Sequence, residues 1–308
     1  MDRRRFLHLA ASAGTLAALD ALAVACSDDG PTASVPDRTT TDVRPGATTT
    51  TDATTTSTAT TTTDTTTTSD VTTTTAAPRA MKRYGPLAPT PDQNDLLLPT
   101  GFTSELLAVS GEMVPGTSYR WHRFPDGGAC FAVAGGGWVY ANNSEVADAG
   151  EGGAGALRFD SQGRIVDAYR ILEGTTMNCA GGATPWGTWL SCEEITTGRV
   201  WECDPFGREP AQPRPAMGAF RHEMAAADAK RQVLYLTEDE IDGLLYRFRP
   251  RTWGDLSEGE LDALAVSPDD GSTRWVRVGG TGEPGQPPTR YDAPGATPFP
   301  GGEGVVLD

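Results

Sequence analysis

From Met81 onward, short runs of β-branched and aromatic residues alternate with Gly- and Pro-rich breaks. No stretch shows the apolar spacing of a long amphipathic helix. Trp138-Val139-Tyr140 leads into Asn142-Asn143-Ser144-Glu145. Ala156-Leu157-Arg158-Phe159 reaches a turn at Asp160-Ser161-Gln162-Gly163, and Arg164-Ile165-Val166 leaves it. Thr188-Trp189-Leu190-Ser191-Cys192 ends at Glu193-Glu194, and Arg199-Val200-Trp201-Glu202-Cys203 returns to Asp204-Pro205-Phe206-Gly207. Val233-Leu234-Tyr235-Leu236 ends at Glu238-Asp239, and Leu244-Leu245-Tyr246-Arg247-Phe248 at Arg249-Pro250. These are hairpin signals.

Three units therefore share one layout: an apolar strand, an acidic end, a loop, and a strand closing on a turn. Their starts lie about 45–50 residues apart, near the length of a four-stranded propeller blade. The pattern predicts an all-β chain and favours a β-propeller over a sandwich. A propeller gathers acidic strand ends near its central channel, where a metal site needs them, whereas a sandwich scatters them around its rim. Only about three or four blades fit between residues 81 and 308. The sequence stops at Gly304-Val305-Val306-Leu307-Asp308, within what reads as a strand. The expectation is an incomplete propeller whose C-terminal part is missing through truncation of the reading frame.

Before this domain lie two other materials. Residues 1–26 have a charged start, Asp2-Arg3-Arg4-Arg5-Phe6-Leu7-His8, then an Ala- and Leu-rich stretch ending at Ala25-Cys26. Those are the parts of an export signal, and Arg-Arg-x-Phe-Leu resembles the twin-arginine type, which implies the twin-arginine export machinery as a partner. Asp20 interrupts the apolar stretch and argues against a permanent membrane span. Ala23-Val24-Ala25-Cys26 resembles a lipobox, with Ala where Leu is usual, so lipidation of Cys26 and simple cleavage with release both stand. Any membrane attachment is expected through that lipid alone. Residues 27–80 are Thr-rich and lack hydrophobic periodicity. They cannot bury enough area to offset their ordering entropy, so a disordered, O-glycosylatable stalk is expected.

Charge sharpens the picture. The chain carries −16 overall, and residues 81–308 hold 19 basic and 32 acidic side chains. Acidity of this order, without clustered Lys or Arg, excludes the electrostatic footprint of nucleic-acid binding. It suits solubility, or hard cations held by carboxylates. Outside the signal the histidines are His122 and His222, too few for a multi-histidine zinc site. No Gly-x-Ser-x-Gly elbow occurs, and Gly152-Gly153-Ala154-Gly155 reads as a loop rather than a dinucleotide fingerprint. Cys192 and Cys203 flank one hairpin turn, and in an oxidising compartment they are candidates for a disulfide that spacing does not prove. Cys130, beside Phe131 and Val133, reads as a buried thiol, and Cys179 alone reads as a small buried residue or half of a disulfide.

The most informative string runs Asn178-Cys179-Ala180-Gly181-Gly182-Ala183-Thr184-Pro185-Trp186-Gly187-Thr188-Trp189-Leu190-Ser191-Cys192-Glu193-Glu194. With Tyr84-Gly85-Pro86-Leu87, Leu98-Pro99-Thr100-Gly101-Phe102, Tyr119-Arg120-Trp121-His122, Gly136-Gly137-Trp138-Val139-Tyr140, Gly218-Ala219-Phe220-Arg221-His222-Glu223, Tyr235-Leu236-Thr237-Glu238-Asp239 and Gly301-Gly302-Glu303-Gly304, it resembles the PhoX-type alkaline phosphatases. That resemblance implies an exported enzyme acting on small phosphate esters. It also implies a propeller channel that holds two iron ions bridged through oxygen to calcium, with metal-ion catalysis of phosphoryl transfer. It assigns the iron thiolate to Cys179, an iron carboxylate to Glu223 and an iron-bridging glutamate to Glu303. Of the pair Glu193 and Glu194, alternate strand residues face opposite ways, so one faces inward to calcium, with Glu194 preferred. Glu145 and Glu238 or Asp239 end equivalent strands and are weaker calcium candidates. The family's Asp-Arg-Pro-Glu block, whose arginine holds phosphate, here reads Phe299-Pro300-Gly301-Gly302-Glu303. Arg290 is the substitute on offer. The missing arginine motivates an alternative, a non-catalytic calcium-stabilised cell-surface scaffold or binding module. A lactonase-like metal hydrolase is a third reading, and a monomer is expected.

Overall fold

A computed structural model describes residues 84–280 and 286–307. The export signal, Cys26 and the Thr-rich stalk lie outside the described residues. Among the described residues the chain divides into two compact units, one holding residues 84–104 and a larger one beginning at residue 105.

In the smaller unit, Leu87 and Pro99 pair in one antiparallel bridge. Asp92 closes the turn between them by accepting from the backbone N–H groups of Asn94 and Leu96, at 2.9 and 3.0 Å. Short polar side chains bond their own downstream backbone in this way and so initiate turns. Tyr84 and Phe102 meet edge to face with centroids 5.4 Å apart.

The larger unit is all-β, with two single-turn 3-10 segments as its only helical elements among the described residues. The first sheet is an antiparallel meander of β1 (Pro125–Ala132), β2 (Trp138–Ser144), β3 (Gly152–Phe159) and β4 (Ile165–Thr175). The second runs β5 (Asn178–Ala183), β6 (Trp189–Glu193), β7 (Val200–Cys203) and β8 (Gln212–Pro213). The third is β9 (His222–Asp228), β10 (Val233–Glu238), β11 (Leu245–Thr252), β12 (Asp255–Val266) and β13 (Thr273–Arg277). Each sheet keeps its strands in chain order, as propeller blades do, and the described residues form three such blades.

Period-two alternation buries both faces of the first and second sheets and one face of the third. In β2, Val139 and Ala141 join a core shared with Trp189 and Cys203 of the second sheet. Trp138 and Tyr140, one residue out of phase, face a core with Val114, Trp121, Leu157 and Phe159. In β6, Leu190 and Cys192 turn the other way from Trp189 and pack with Phe220, Leu234, Leu236, Tyr246 and Phe248 of the third blade. The blades therefore stack face to face through apolar side chains.

Repeated turn chemistry sets the outer hairpins. Asp160 Oδ1 accepts from the N–H groups of Gln162 and Arg164, and Gly163 follows at φ 78°. Asp204 repeats this with Phe206 and Arg208 ahead of Gly207 at φ 65°. The innermost strands have another requirement. A Cβ on Gly127 of β1 would lie 2.7 Å from Ala180 Cα of β5, and one on Gly182 of β5 would run into the Ala225 carbonyl of β9. The inner strands approach so closely that only glycine fits there. Gly182→Ala is expected to cost about 1–3 kcal/mol through overpacking, read as a lower denaturant midpoint; an unchanged midpoint would contradict this contact.

Two expectations are corrected. Gly152-Gly153-Ala154-Gly155 is not a loop but the start of β3, where small residues let Tyr119 and His122 close over the strand. Cys192 and Cys203 do not form a disulfide; both are free thiols. The β6–β7 register pairs Cys192 with Val200 and Cys203 with Trp189, which offsets the two cysteines by three residues, or about 10 Å. Disulfide geometry needs Cα atoms within about 7 Å.

Burial holds both histidines neutral. His122 is pushed down from 6.5 to about 4, chiefly by loss of water. An unfolded chain takes up that proton near 6.5 and the folded one resists it, so this contribution to stability is full above 6.5 and drains away towards pH 4. The loss in melting temperature between pH 7 and 4.5 is expected to shrink in His122→Gln. Equal losses in both proteins would contradict the buried neutral ring.

Candidate metal centre

The three blades repeat one arrangement at the same end. Asp126, Cys179 and Glu223 are each the second residue of the first strand of their sheet. Their preceding residues pair across the hairpin as Pro125 with Ser144, Asn178 with Glu193, and His222 with Glu238. The residue after each of those partners is again acidic: Glu145, Glu194 and Asp239. Equivalent register thus delivers a donor pair per blade, Asp126 with Glu145, Cys179 with Glu194, and Glu223 with Asp239.

Two groups of donors converge within 4.8 Å of one another, one of Cys179, Glu194 and Glu223, the other of Asp126, Glu145 and Cys179. Cys179 belongs to both. Glu303 is exposed but close enough to raise Glu223. Its segment is held by the Gly301 and Gly302 N–H groups donating to Glu240 and Glu238 carbonyls, at 2.9 and 3.2 Å. Asp239 is half-buried, and its N–H donates to the Arg221 carbonyl at 3.1 Å.

The electrostatics are those of crowded anions. Burial, reinforced by Glu194, Glu303 and Asp126, pushes Glu223 up to about 7, against the lowering effect of the thiol proton donated by Cys179. Burial and then the neighbouring Asp126 and Glu223 raise the Cys179 thiol far above its ordinary value. Desolvation also lifts Asp126. Like charges gathered in a partly dry site are offset by a cation where one binds, and a thiol among carboxylates is a donor set that could hold a metal ion. Arg221 reaches the cluster and pairs with Glu194, while its Nε is buried without a hydrogen-bond partner.

Asn143, fully buried, holds Cys179 in place. Its Nδ2 donates to the Cys179 and Ala180 carbonyls at 2.9 and 2.8 Å, and its Oδ1 accepts from Trp189 Nε1 and Ser191 Oγ at 2.9 and 2.8 Å. Asn178 extends the chain by donating to Ser191 Oγ at 2.9 Å and accepting from Thr175 Oγ1 at 2.6 Å. Every buried amide group here has a partner, which fixes the strand carrying the thiol.

Of the residues expected at the site, Cys179, Glu194, Glu223 and Glu145 come together, with Glu303 and Asp239 flanking them. Glu193 is on the opposite face, as strand alternation requires. There it accepts from Thr176 N–H, Arg199 N–H and Trp201 Nε1 at 3.0, 3.2 and 2.9 Å. Glu238 likewise turns away and is fully buried, accepting from Leu244 N–H and Tyr246 Oη at 3.1 and 2.9 Å and from Arg290 at 2.7 Å. Arg290 is therefore committed to Glu238 and Asp242 rather than presented to the cluster. Asp126 and Arg221 were not anticipated. The signal for Asp126 was its place before Gly127-Gly128, parallel to Cys179-Ala180-Gly181.

No curated protein matches the chain significantly. The structure of Pseudomonas fluorescens PhoX in complex with vanadate, a transition state analogue, is 19% identical with a TM-score of 0.43, over 51% of this chain and 49% of that one. The chain thus spans about half the length of that protein. The profile of the family Alkaline phosphatase PhoX matches residues 142–202 and 196–305, more than half of the sequence. The segment that carries the donors of the second and third blades is the segment that matches, and the chain belongs to the PhoX alkaline phosphatase family.

Proposed function

We propose that this chain is the metal-binding part of an exported, metal-dependent phosphatase acting on small phosphate esters. The observation that carries this reading is the sharing of Cys179 between two groups of carboxylate donors. Cys179, Glu194 and Glu223 would hold iron, the thiolate being the soft donor. Asp126 and Glu145, with Glu303 and Asp239 beside them, supply the oxygen-rich surroundings that suit calcium. Metals bound there would supply positive charge and Lewis acidity towards the phosphoryl oxygens. Asn143 orients the strand that carries the thiol. Glu223, raised to about 7 by burial and its acidic neighbours, would bind a cation as the carboxylate. Arg221 brings a guanidinium to the edge of the cluster, with the planar donor geometry that suits phosphate oxygens.

The Arg3-Arg4-Arg5-Phe6-Leu7 start supports twin-arginine export, and Ala23-Val24-Ala25-Cys26 supports lipid anchoring at the outer face of the membrane. The purified chain, loaded with iron and calcium, is expected to hydrolyse a chromogenic phosphate monoester and to stop on chelation. Turnover retained by both Cys179→Ser and Glu223→Gln would refute the reading. The commitment of Arg290 to Glu238 favours a second reading, a calcium-stabilised surface scaffold. Bound calcium without turnover of any phosphate ester would select it.

A further inference from the structure

On the reading of the acidic cluster as a metal centre, we propose that Glu238 is a positioning residue. It gathers the third blade's donors, Glu223, Asp239 and Glu303, onto one site without itself touching the cation. Its main chain reaches all three. Glu238 pairs with His222, the residue before Glu223, across the β9–β10 hairpin. Asp239 follows it directly, and the Asp239 N–H donates to the Arg221 carbonyl at 3.1 Å. The Glu238 carbonyl accepts from the Gly302 N–H at 3.2 Å, and Glu303 is the next residue. Beyond Glu303, the Val305 nitrogen lies 3.0 Å from Met224 Sδ, so this segment runs back beside the start of β9.

Two glycines make the junction possible. A Cβ on Gly302 would lie 2.9 Å from the Glu238 carbonyl oxygen, and one on Gly243 would run into the same oxygen. Both approaches are to backbone, which cannot swing aside as a flexible side chain can. Gly304, on the other side of Glu303, differs: a Cβ there would meet Met224 Sδ at 3.6 Å, an ordinary contact.

The side chain fixes the junction from the opposite direction. The fully buried Glu238 carboxylate accepts from Arg290 Nη1, Tyr246 Oη and the Leu244 N–H at 2.7, 2.9 and 3.1 Å. Arg290 also pairs with Asp242 at 2.8 Å. Thr289, just before it, accepts from the Ala219 N–H at 2.7 Å and donates to the Ala219 carbonyl at 3.0 Å through Oγ1. Residues 289–303 thus tie the lead-in to β9 to the end of β10. A buried ion pair loses its hydration, and apolar packing of the same volume is often as stable. What the pair adds is direction: it fixes where residues 238–240 lie, and with them three donors. Such outer supports typically tune metal affinity by about 10–100-fold.

Calcium titration of the full chain by calorimetry tests this role, alongside the denaturant midpoint of the metal-free protein. Gly302→Ala is expected to weaken calcium binding about tenfold with little change in midpoint, whereas Gly304→Ala binds as the wild type does. In a Glu303→Gln background Gly302→Ala should add no further loss, because it acts through that carboxylate. Glu238→Leu with Arg290→Met, which replaces the ion pair by packing, should bind about tenfold more weakly even where its midpoint recovers. Wild-type affinity in Gly302→Ala or in the double variant would overturn the positioning role and leave the metal centre standing. An additive loss in Glu303→Gln, or an equal loss in Gly304→Ala, would do the same. A wild-type chain that binds no calcium would overturn both.

Discussion

On the proposed metal-dependent phosphatase reading, Cys179→Ser is expected to lower turnover by more than about 100-fold and to abolish iron binding, because this thiol alone belongs to both donor groups. Serine keeps the size and loses the soft donor. Asn143 binds the backbone of Cys179 rather than its side chain, so the strand should stay in place and the melting temperature of the metal-free protein should change little. Turnover and iron content measured together on the two proteins check this. A variant that retains both would remove the thiol from the centre.

Arg290→Met is expected to destabilise the fold by about 3–5 kcal/mol, seen as a lower denaturant midpoint. Glu238 is fully buried and Arg290 only 9% exposed, so deleting the guanidinium strands a carboxylate that has no access to water. Tyr246 and the Leu244 N–H still donate to it, but neither carries charge. A phosphate-binding arginine would give the opposite split, a raised KM with an unchanged midpoint. Glu238→Leu together with Arg290→Met should recover much of the loss, since the pair sits against Leu244 and Tyr246 of the core.

The strands rich in Val, Trp, Tyr and Leu were legible from alternation alone: β2, β6, β7, β10 and β11 lie where their apolar runs fall. The inner strands were not. β1, β5 and β9 read Pro-Asp-Gly-Gly, Asn-Cys-Ala-Gly-Gly and His-Glu-Met-Ala-Ala-Ala, compositions of low strand propensity. Close approach of neighbouring backbones demands those small residues, and tertiary packing overrides their local preference. β12 is hidden for a different reason: four acidic residues in twelve mask the alternation of an outer strand.

The site was legible to the extent that family resemblance and strand alternation reached. Alternation puts Glu194 and Glu193 on opposite faces, and the structure has Glu194 among the clustered donors and Glu193 bonded away from them. It left Glu238 and Asp239 as alternatives, and register makes Asp239, one step on, the residue equivalent to Glu194 in the third blade. Asp126 became visible only through register, which pairs Pro125 with Ser144 as Asn178 pairs with Glu193. The destination of Arg290 depends on a contact 52 residues away in sequence, which no local pattern encodes.

The most direct test of the metal centre is anomalous diffraction at the iron absorption edge from crystals of the loaded protein. A peak bonded to Cys179 Sγ and flanked by Glu194 and Glu223 is predicted. Iron found elsewhere, or no iron with activity intact, would contradict it.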